Sequence, residues 1–225
     1  ARIKRLINSQ DKWDLEGLSS IQVDNTSEKD TMLVALILSE VNTRQVASNG
    51  PAYKMALNQL SSWDGKTDVN SIGATIFSNL VYYIMYNTLA DELTEKDFSS
   101  FINSFLVRSK MVALFSNENS IWYDNISTSD VKESRSKIFT KSLEEAISSL
   151  INQFGENVGA WRWGEVHTLT HVHPMGRDEP LDMVFNVGPF PKSGGNDVID
   201  KEGYKYNKSG VYPVVDGPAM RMLVD

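Results

Sequence analysis

The sequence predicts an α+β fold, a helical block followed by antiparallel sheet, and three observations carry that prediction. Apolar residues recur at helical spacing from Asp14 to about Phe154. After Gly155 the hydrophobic period drops to two, the signature of strands with one covered face. Glycine and proline then mark each break between short apolar runs. The change of period divides the chain into a helical region, 1–155, and an antiparallel β region with long Gly/Pro loops, 156–225. Both are expected to belong to one larger parent domain, because the sheet needs a partner to cover its second face.

The elements follow in order. Ala1 to Ile7 contains no apolar core of signal-peptide length and reads as the middle of an amphipathic helix with Ile3, Leu6 and Ile7 on its apolar face. Ser27 with Asp30 three residues on has capping-box spacing and opens a helix expected to reach Val46, buried on most sides, before Asn49-Gly50-Pro51 ends it. Pro51 suits a first helical turn; Tyr53, Leu57 and Leu60 then form a modest stripe that runs into the turn Trp63-Asp64-Gly65. From Ser71 to Leu89, Ile72, Ile76, Phe77, Leu80, Tyr83 and Ile84 fall at helical spacing. Interrupted by Ser78 and Asn79, this segment is too short for a membrane span, which takes roughly 20 apolar residues, and reads as a core helix. Further helices are expected from Glu95 to Phe115 and from Asp130 to Phe154, the latter with Asp130 and Glu133 in its first turn and Lys and Glu on its solvent face. Strands are expected over Trp161–His173, Met183–Val187, Val211–Val215 and Met220–Val224, with Trp161 and Trp163 sharing one strand face.

Composition excludes several functions. The 22 basic and 29 acidic residues give a net charge of −7 without a basic face, so the phosphate-neutralising term of nucleic-acid binding is missing and anionic membranes are poor partners. Cysteine is absent, which removes disulfides, thiolate metal sites and a cysteine nucleophile.

Three histidines in seven residues, His167, His171 and His173, invite a metal-site reading. On a strand His167 and His171 lie about 13 Å apart by strand rise, beyond a common ion, while His171 and His173 at about 7 Å need a third ligand from elsewhere. Structural histidines are the preferred reading. Gly188-Pro189 and Gly194-Gly195-Asn196-Asp197 match neither a phosphate loop nor a dinucleotide fingerprint, and no cofactor is expected. Carboxylates cluster in Arg177-Asp178-Glu179-Pro180-Leu181-Asp182, where acid–base work or calcium is weighed against the preferred reading of a solvated loop. No Gly-x-Ser-x-Gly elbow is present. The residues taken alone therefore name no catalytic, cofactor or metal site.

The order of motifs goes further. Leu60-Ser61-Ser62-Trp63-Asp64-Gly65 is followed by Ser71-Ile72-Gly73-Ala74-Thr75-Ile76-Phe77 and Asp91-Glu92-Leu93. Trp163-Gly164-Glu165-Val166-His167, His173-Pro174, Asn186-Val187-Gly188-Pro189-Phe190-Pro191, Gly194-Gly195-Asn196-Asp197 and Gly217-Pro218-Ala219-Met220-Arg221-Met222-Leu223-Val224-Asp225 come after. No single block is specific, but the ordered set resembles the penicillin acylase (penicillin amidase) family along nearly the whole chain. That resemblance implies an N-terminal-nucleophile amidohydrolase of four-layer αββα architecture, periplasmic or secreted, made as a precursor and cut to expose a serine at the start of its large subunit. In such enzymes the serine hydroxyl attacks an amide carbonyl, its own α-amino group is the base, and an asparagine with a backbone N–H stabilises the oxyanion.

The chain begins with Ala1 rather than serine, so none of the family's catalytic residues carries over to a position here. The expectation is an internal fragment of the large subunit, inactive alone. Its partners would be the remainder of the precursor, meaning the small subunit and the serine-bearing start of the large one, together with an N-acyl substrate of beta-lactam or acyl-homoserine lactone type. Asp225 alone is singled out for an indirect role near the active site. A non-catalytic interaction or binding domain is the alternative.

Overall fold

Capping chemistry sets where most helices of the computed structural model begin, and the structure describes residues 2–224. Asp14 accepts the Gly17 N–H to open α2 (Leu15–Gln22), which follows the short α1 (Arg2–Ile7). Ser27 accepts the Asp30 N–H at 3.2 Å and opens α3 (Glu28–Glu40). The expected continuation to Val46 is broken at Val41. Asn42 takes the Gln45 N–H and starts a separate helix, α4 (Thr43–Ser48), while its own N–H goes to Thr140 Oγ1. Pro51 begins α5 (Pro51–Ser61) after Gly50.

The turn that follows holds Gly65 at φ +83°, where a Cβ would stand 2.6 Å from the Ser27 carbonyl oxygen, so a side chain is excluded there. Ser71 then caps α6 (Ile72–Leu89), whose residues 73–82 are all buried, as expected of a core helix. Among the described residues no helix is long and apolar enough to cross a membrane.

The helix expected over Glu95–Phe115 is two, α7 (Glu95–Ile102) and α8 (Phe105–Ser116), because Ser104 accepts the Val107 N–H and caps a new start at Phe105. The last long helix, α9 (Arg135–Phe154), begins later than Asp130. Ser134 is its cap, and Glu133 turns away to accept the Asn125 N–H at 3.0 Å. Helices α6 and α9 make the most extensive contact in the fold, and α3, α4 and α5 also pack on α9. Both Ile3 and Ile7 on the apolar face of α1 are about half exposed, so that face is only partly covered.

The expected run of strands after Gly155 is the main correction. Trp161 to His173 is not one strand: Trp161 ends a 3₁₀ turn, Trp163–Val166 forms α10, and only Thr168–His171 is β1. Trp161 and Trp163 are both fully buried, but not from a shared strand face. Asp182–Phe185 is α11 rather than the start of a strand, and β2 spans Val187–Pro191. The described residues hold a two-stranded antiparallel sheet, β1 with β2, in register Thr168↔Pro191 and Leu169↔Phe190.

Val211–Val215 is no regular strand, yet it borders β1. The N–H groups of Tyr212 and Val214 donate to the carbonyls of Val166 and Thr168 at 2.7 and 2.9 Å. Met220–Val224 pairs with nothing as a strand among the described residues. It is anchored by Arg221, which donates to the Gln22 carbonyl and to Asp200. The fold is thus mixed helical with a small antiparallel sheet.

One position in α6 tests the packing argument. A Cβ on Gly73 would stand 2.4 Å from Trp63 Cγ, and Trp63 is held by its indole bond to the Lys66 carbonyl (2.8 Å) and by its contact with Phe77. Helix propensity alone predicts that Gly73→Ala stabilises by about 1 kcal/mol. The clash predicts the opposite sign, a loss of about 1–3 kcal/mol, because the ring must leave its seat. Urea unfolding at constant m-value decides between them.

Candidate functional site

The richest polar cluster lies where the C-terminal third docks on α6. Short α10 is fixed to the start of α6 by backbone bonds from Trp163 N–H to the Ser71 carbonyl (3.0 Å) and from Gly164 N–H to the Val69 carbonyl (2.9 Å). Gly164 lets this approach happen, since a Cβ there would meet Pro191 and Val69 at about 3 Å. One helical turn on from Trp163, the His167 ring stacks on the indole at 4.7 Å between centroids. Tyr204 and Tyr212 close the box, at 5.3 and 5.8 Å from Trp163, and Tyr206 packs edge-on against Tyr204.

Polar atoms of α6 anchor this box. The Ser78 and Tyr204 hydroxyls are hydrogen-bonded at 2.9 Å. Asn79 donates to the Ala146 carbonyl at 2.8 Å and accepts from the Tyr212 hydroxyl at 3.4 Å, joining α6, α9 and the C-terminal segment at one side chain. The Trp163 indole N–H donates to the Gly194 carbonyl at 3.0 Å.

His167 is fully buried, and its Nδ1–H donates to the Tyr212 carbonyl at 2.6 Å. That bond leaves Nε2 as the lone-pair nitrogen, buried without a protein partner. Burial pushes the imidazole down to about 4, against the Tyr212 bond, and Lys192 adds to the depression. Burial likewise raises the phenols of Tyr204, Tyr206 and Tyr212. At neutral pH the box therefore holds a neutral imidazole and protonated phenols. Ser78 is bonded to the Tyr204 phenol rather than to the imidazole, so its hydroxyl has no general base. The cluster is a clamp that sets where β1 begins.

A second cluster ties α3 to the loop after β2. Lys29 Nζ stands 2.7 Å from Asp197 and 4.0 Å from Asp30, two carboxylates on one ammonium. Burial pushes Asp30 up to about 7; Lys29 opposes this, Asp197 reinforces it, and the Ser27 hydrogen bond opposes it. Beside it, Asn196 exchanges two bonds of 3.1 Å with the Tyr204 backbone and accepts from Arg108 at 3.2 Å.

The other residues singled out from sequence are scattered. His173 lies on the surface, accepts the Met175 N–H through Nδ1 and stacks on Phe185 at 5.4 Å, while His171 ends β1 exposed. Among the described residues no three His, Cys, Asp or Glu side chains come together as a metal site. Asp182 opens α11, and Asp225 lies outside the described residues. Sequence reasoning missed Tyr204, Tyr206, Tyr212 and Asn79. The alternation Tyr204-Lys205-Tyr206, buried, exposed, buried, was the available signal for the tyrosines.

Fold and site together define an α+β chain whose buried polar groups clamp a sheet onto helices. Comparison with known proteins gives it a family: a model for penicillin amidase matches residues 1–225, and the chain belongs to that family. It is similar to acyl-homoserine lactone acylase QuiP of Pseudomonas aeruginosa, 22% identical over 249 residues, covering 100% of this chain and 29% of that protein. The Pseudomonas fluorescens Pf-5 protein of the same name is 26% identical over 175 residues, covering 76% of this chain and 20% of that protein. For Pseudomonas syringae pv. syringae the identity is 24% over 244 residues, with 100% and 28% covered. The chain thus spans less than a third of the length of these curated relatives.

Proposed function

We propose that this chain is scaffold for an amide hydrolase that cleaves N-acyl compounds, of acyl-homoserine lactone or beta-lactam type, through a serine supplied by polypeptide outside residues 1–225. The observation that carries this reading is the penicillin amidase match along the entire chain, supported by relatives named as acyl-homoserine lactone acylases. In this reading the chain's part is mechanical. The buried box around His167 and Trp163 holds β1, and β1 and β2 extend a larger sheet within a layered αββα arrangement.

Surface chemistry supports a covered rather than a free sheet. Val187 and Phe190 of β2 are about half exposed, and Met220, Met222 and Val224 alternate outward along an extended segment, at 88%, 68% and 73% exposure. A row of large apolar side chains on open backbone is what a neighbouring strand or layer covers. The remainder of the precursor is the proposed cover, and the periplasm or cell exterior the proposed location.

The test is a full-length protein containing this chain, incubated with N-acyl-homoserine lactones and acylated beta-lactam nuclei. Release of the free amine, with a mature subunit beginning at serine by mass spectrometry, is the expected result. A protein that neither self-cleaves before a serine nor releases an amine from any member of the panel overturns the reading.

A further inference from the structure

Asn49-Gly50 is the one Asn-Gly pair in the sequence, and it forms the tight turn between α4 and α5. Asn49 is exposed and ends α4 in helical backbone, at φ −71° and ψ −12°. Gly50 follows at φ +140°, and a Cβ placed there would meet no atom beyond its chain neighbours within 4 Å, so nothing shields that side of the turn. The Gly50 N–H donates to the Ala47 carbonyl at 3.5 Å, longer than an ordinary hydrogen bond. The Asn49 side chain reaches α9: its Nδ2 donates to Glu144 at 3.0 Å, and Gln45 Nε2 donates to the same carboxylate oxygen at 3.1 Å. With the Asn42 N–H on Thr140, these amides form the polar seam between α4 and α9, beside the buried Val46. Among the described residues no cation pairs with Glu144, so amides are what face its charge.

We propose that Asn49 is a deamidation site, and that its conversion turns the seam between α4 and α9 from attractive to repulsive. The Gly50 nitrogen attacks Asn49 Cγ. A C–N bond closes a five-membered succinimide, the Cγ–Nδ2 bond breaks, and ammonia leaves carrying the Gly50 amide proton. Water then opens the ring at either carbonyl, giving aspartate, or isoaspartate in which the main chain runs through the side chain. Water is the only co-reactant, and nothing is oxidised or reduced.

Glycine permits the attack because a following side chain, above all a β-branched one, crowds the nitrogen. Ring closure requires ψ of Asn49 to leave the helical region, and the Gly50 bond given up in that rotation is the 3.5 Å one. Asn157 is the internal contrast: it too is exposed, but it precedes Val158, which is fully buried and opens a 3₁₀ turn. The consequence follows from donor chemistry. An amide donates, whereas a carboxylate only accepts. After conversion the bond to Glu144 is gone, and two carboxylates face each other where an amide had met one.

Ageing the full-length protein at pH 9 and 37 °C, followed by peptide mass spectrometry and an isoaspartate-specific methyltransferase, measures the chemistry. Conversion of Asn49 is expected to outpace that of Asn157 by about tenfold or more. Asn49→Gln should stop it, because the longer side chain would have to close a six-membered ring. Amide hydrogen exchange reads the consequence. Asn49→Asp should speed exchange across α4 by about three- to tenfold while leaving α6 unchanged. Adding Glu144→Gln, which puts a donor opposite the new carboxylate, should recover most of the protection. A rate at Asn49 no higher than at Asn157, or α4 exchange that Asn49→Asp leaves unchanged, overturns the proposal. So does a double variant no better protected than Asn49→Asp alone.

Discussion

Trp163→Ala is expected to cost about 3–5 kcal/mol of stability, among the largest effects of any single substitution in this chain. The indole is fully buried, donates to the Gly194 carbonyl at 3.0 Å, and stacks on His167 and Tyr212. Truncation opens a cavity between α6 and the C-terminal third and strands a buried carbonyl, two penalties that add. Trp122→Ala, at a partly exposed position outside the box, should fall within about 1 kcal/mol of the parent chain. Urea midpoints at unchanged m-value give both numbers. A Trp163→Ala loss no greater than that of Trp122→Ala would show that the box is not what holds the two regions together.

Asp30→Asn is expected to change the shape of the stability–pH profile as well as its height. Asp30 is raised from an ordinary 3.8 to about 7, so between about pH 4 and 7 the folded protein holds a proton that the unfolded chain releases, and stability falls as pH rises through that window. His167 behaves oppositely. Lowered from 6.5 to about 4, it stays neutral when folded while the unfolded chain takes up a proton, so stability falls as pH drops from about 6.5 to 4. Each slope approaches about 1.4 kcal/mol per pH unit, and over the shared window they oppose each other.

Asp30→Asn removes one slope. The variant should gain roughly 2–4 kcal/mol at pH 8, where the parent chain bears the full cost of a buried charge, and should lose stability steadily below pH 6.5 as the His167 slope emerges. Denaturant unfolding at pH 4.5, 5.5, 6.5 and 8 reads the profile. Parallel profiles for variant and parent would mean that Asp30 is ionised in the folded state like any surface carboxylate.

How far the sequence could be read depended on the range of each signal. Ser27, Ser71 and Pro51 mark helix starts because the groups they satisfy lie within three residues. Where one expected helix is two, a local cap divides it: Asn42 and Ser104 each accept the N–H three residues on and restart the helix. The strand reading failed at Trp161–His173 because tertiary burial mimics alternation. Trp163, Val166 and His167 are buried at spacings of three and four, which one helical turn explains as well as a strand does.

The clamps were beyond such reasoning. Asp30 was legible as a cap partner, but its raised proton affinity comes from burial and from Asp197, far along the chain. His167 was legible as structural, but not its orphaned Nε2, since Tyr212 lies 45 residues away.

The guanidinium of Arg221 has a kinetic consequence. It donates to the Gln22 carbonyl across 199 residues of sequence, and the Asp200 N–H donates to the Asp24 carbonyl nearby. Contacts of such separation form late, since the entropy of closing so long a loop must be met before they contribute. On the ribosome, the corner that contains α2 stays unfinished until nearly all of this segment has emerged, so nascent chains expose it to chaperones and proteases throughout synthesis.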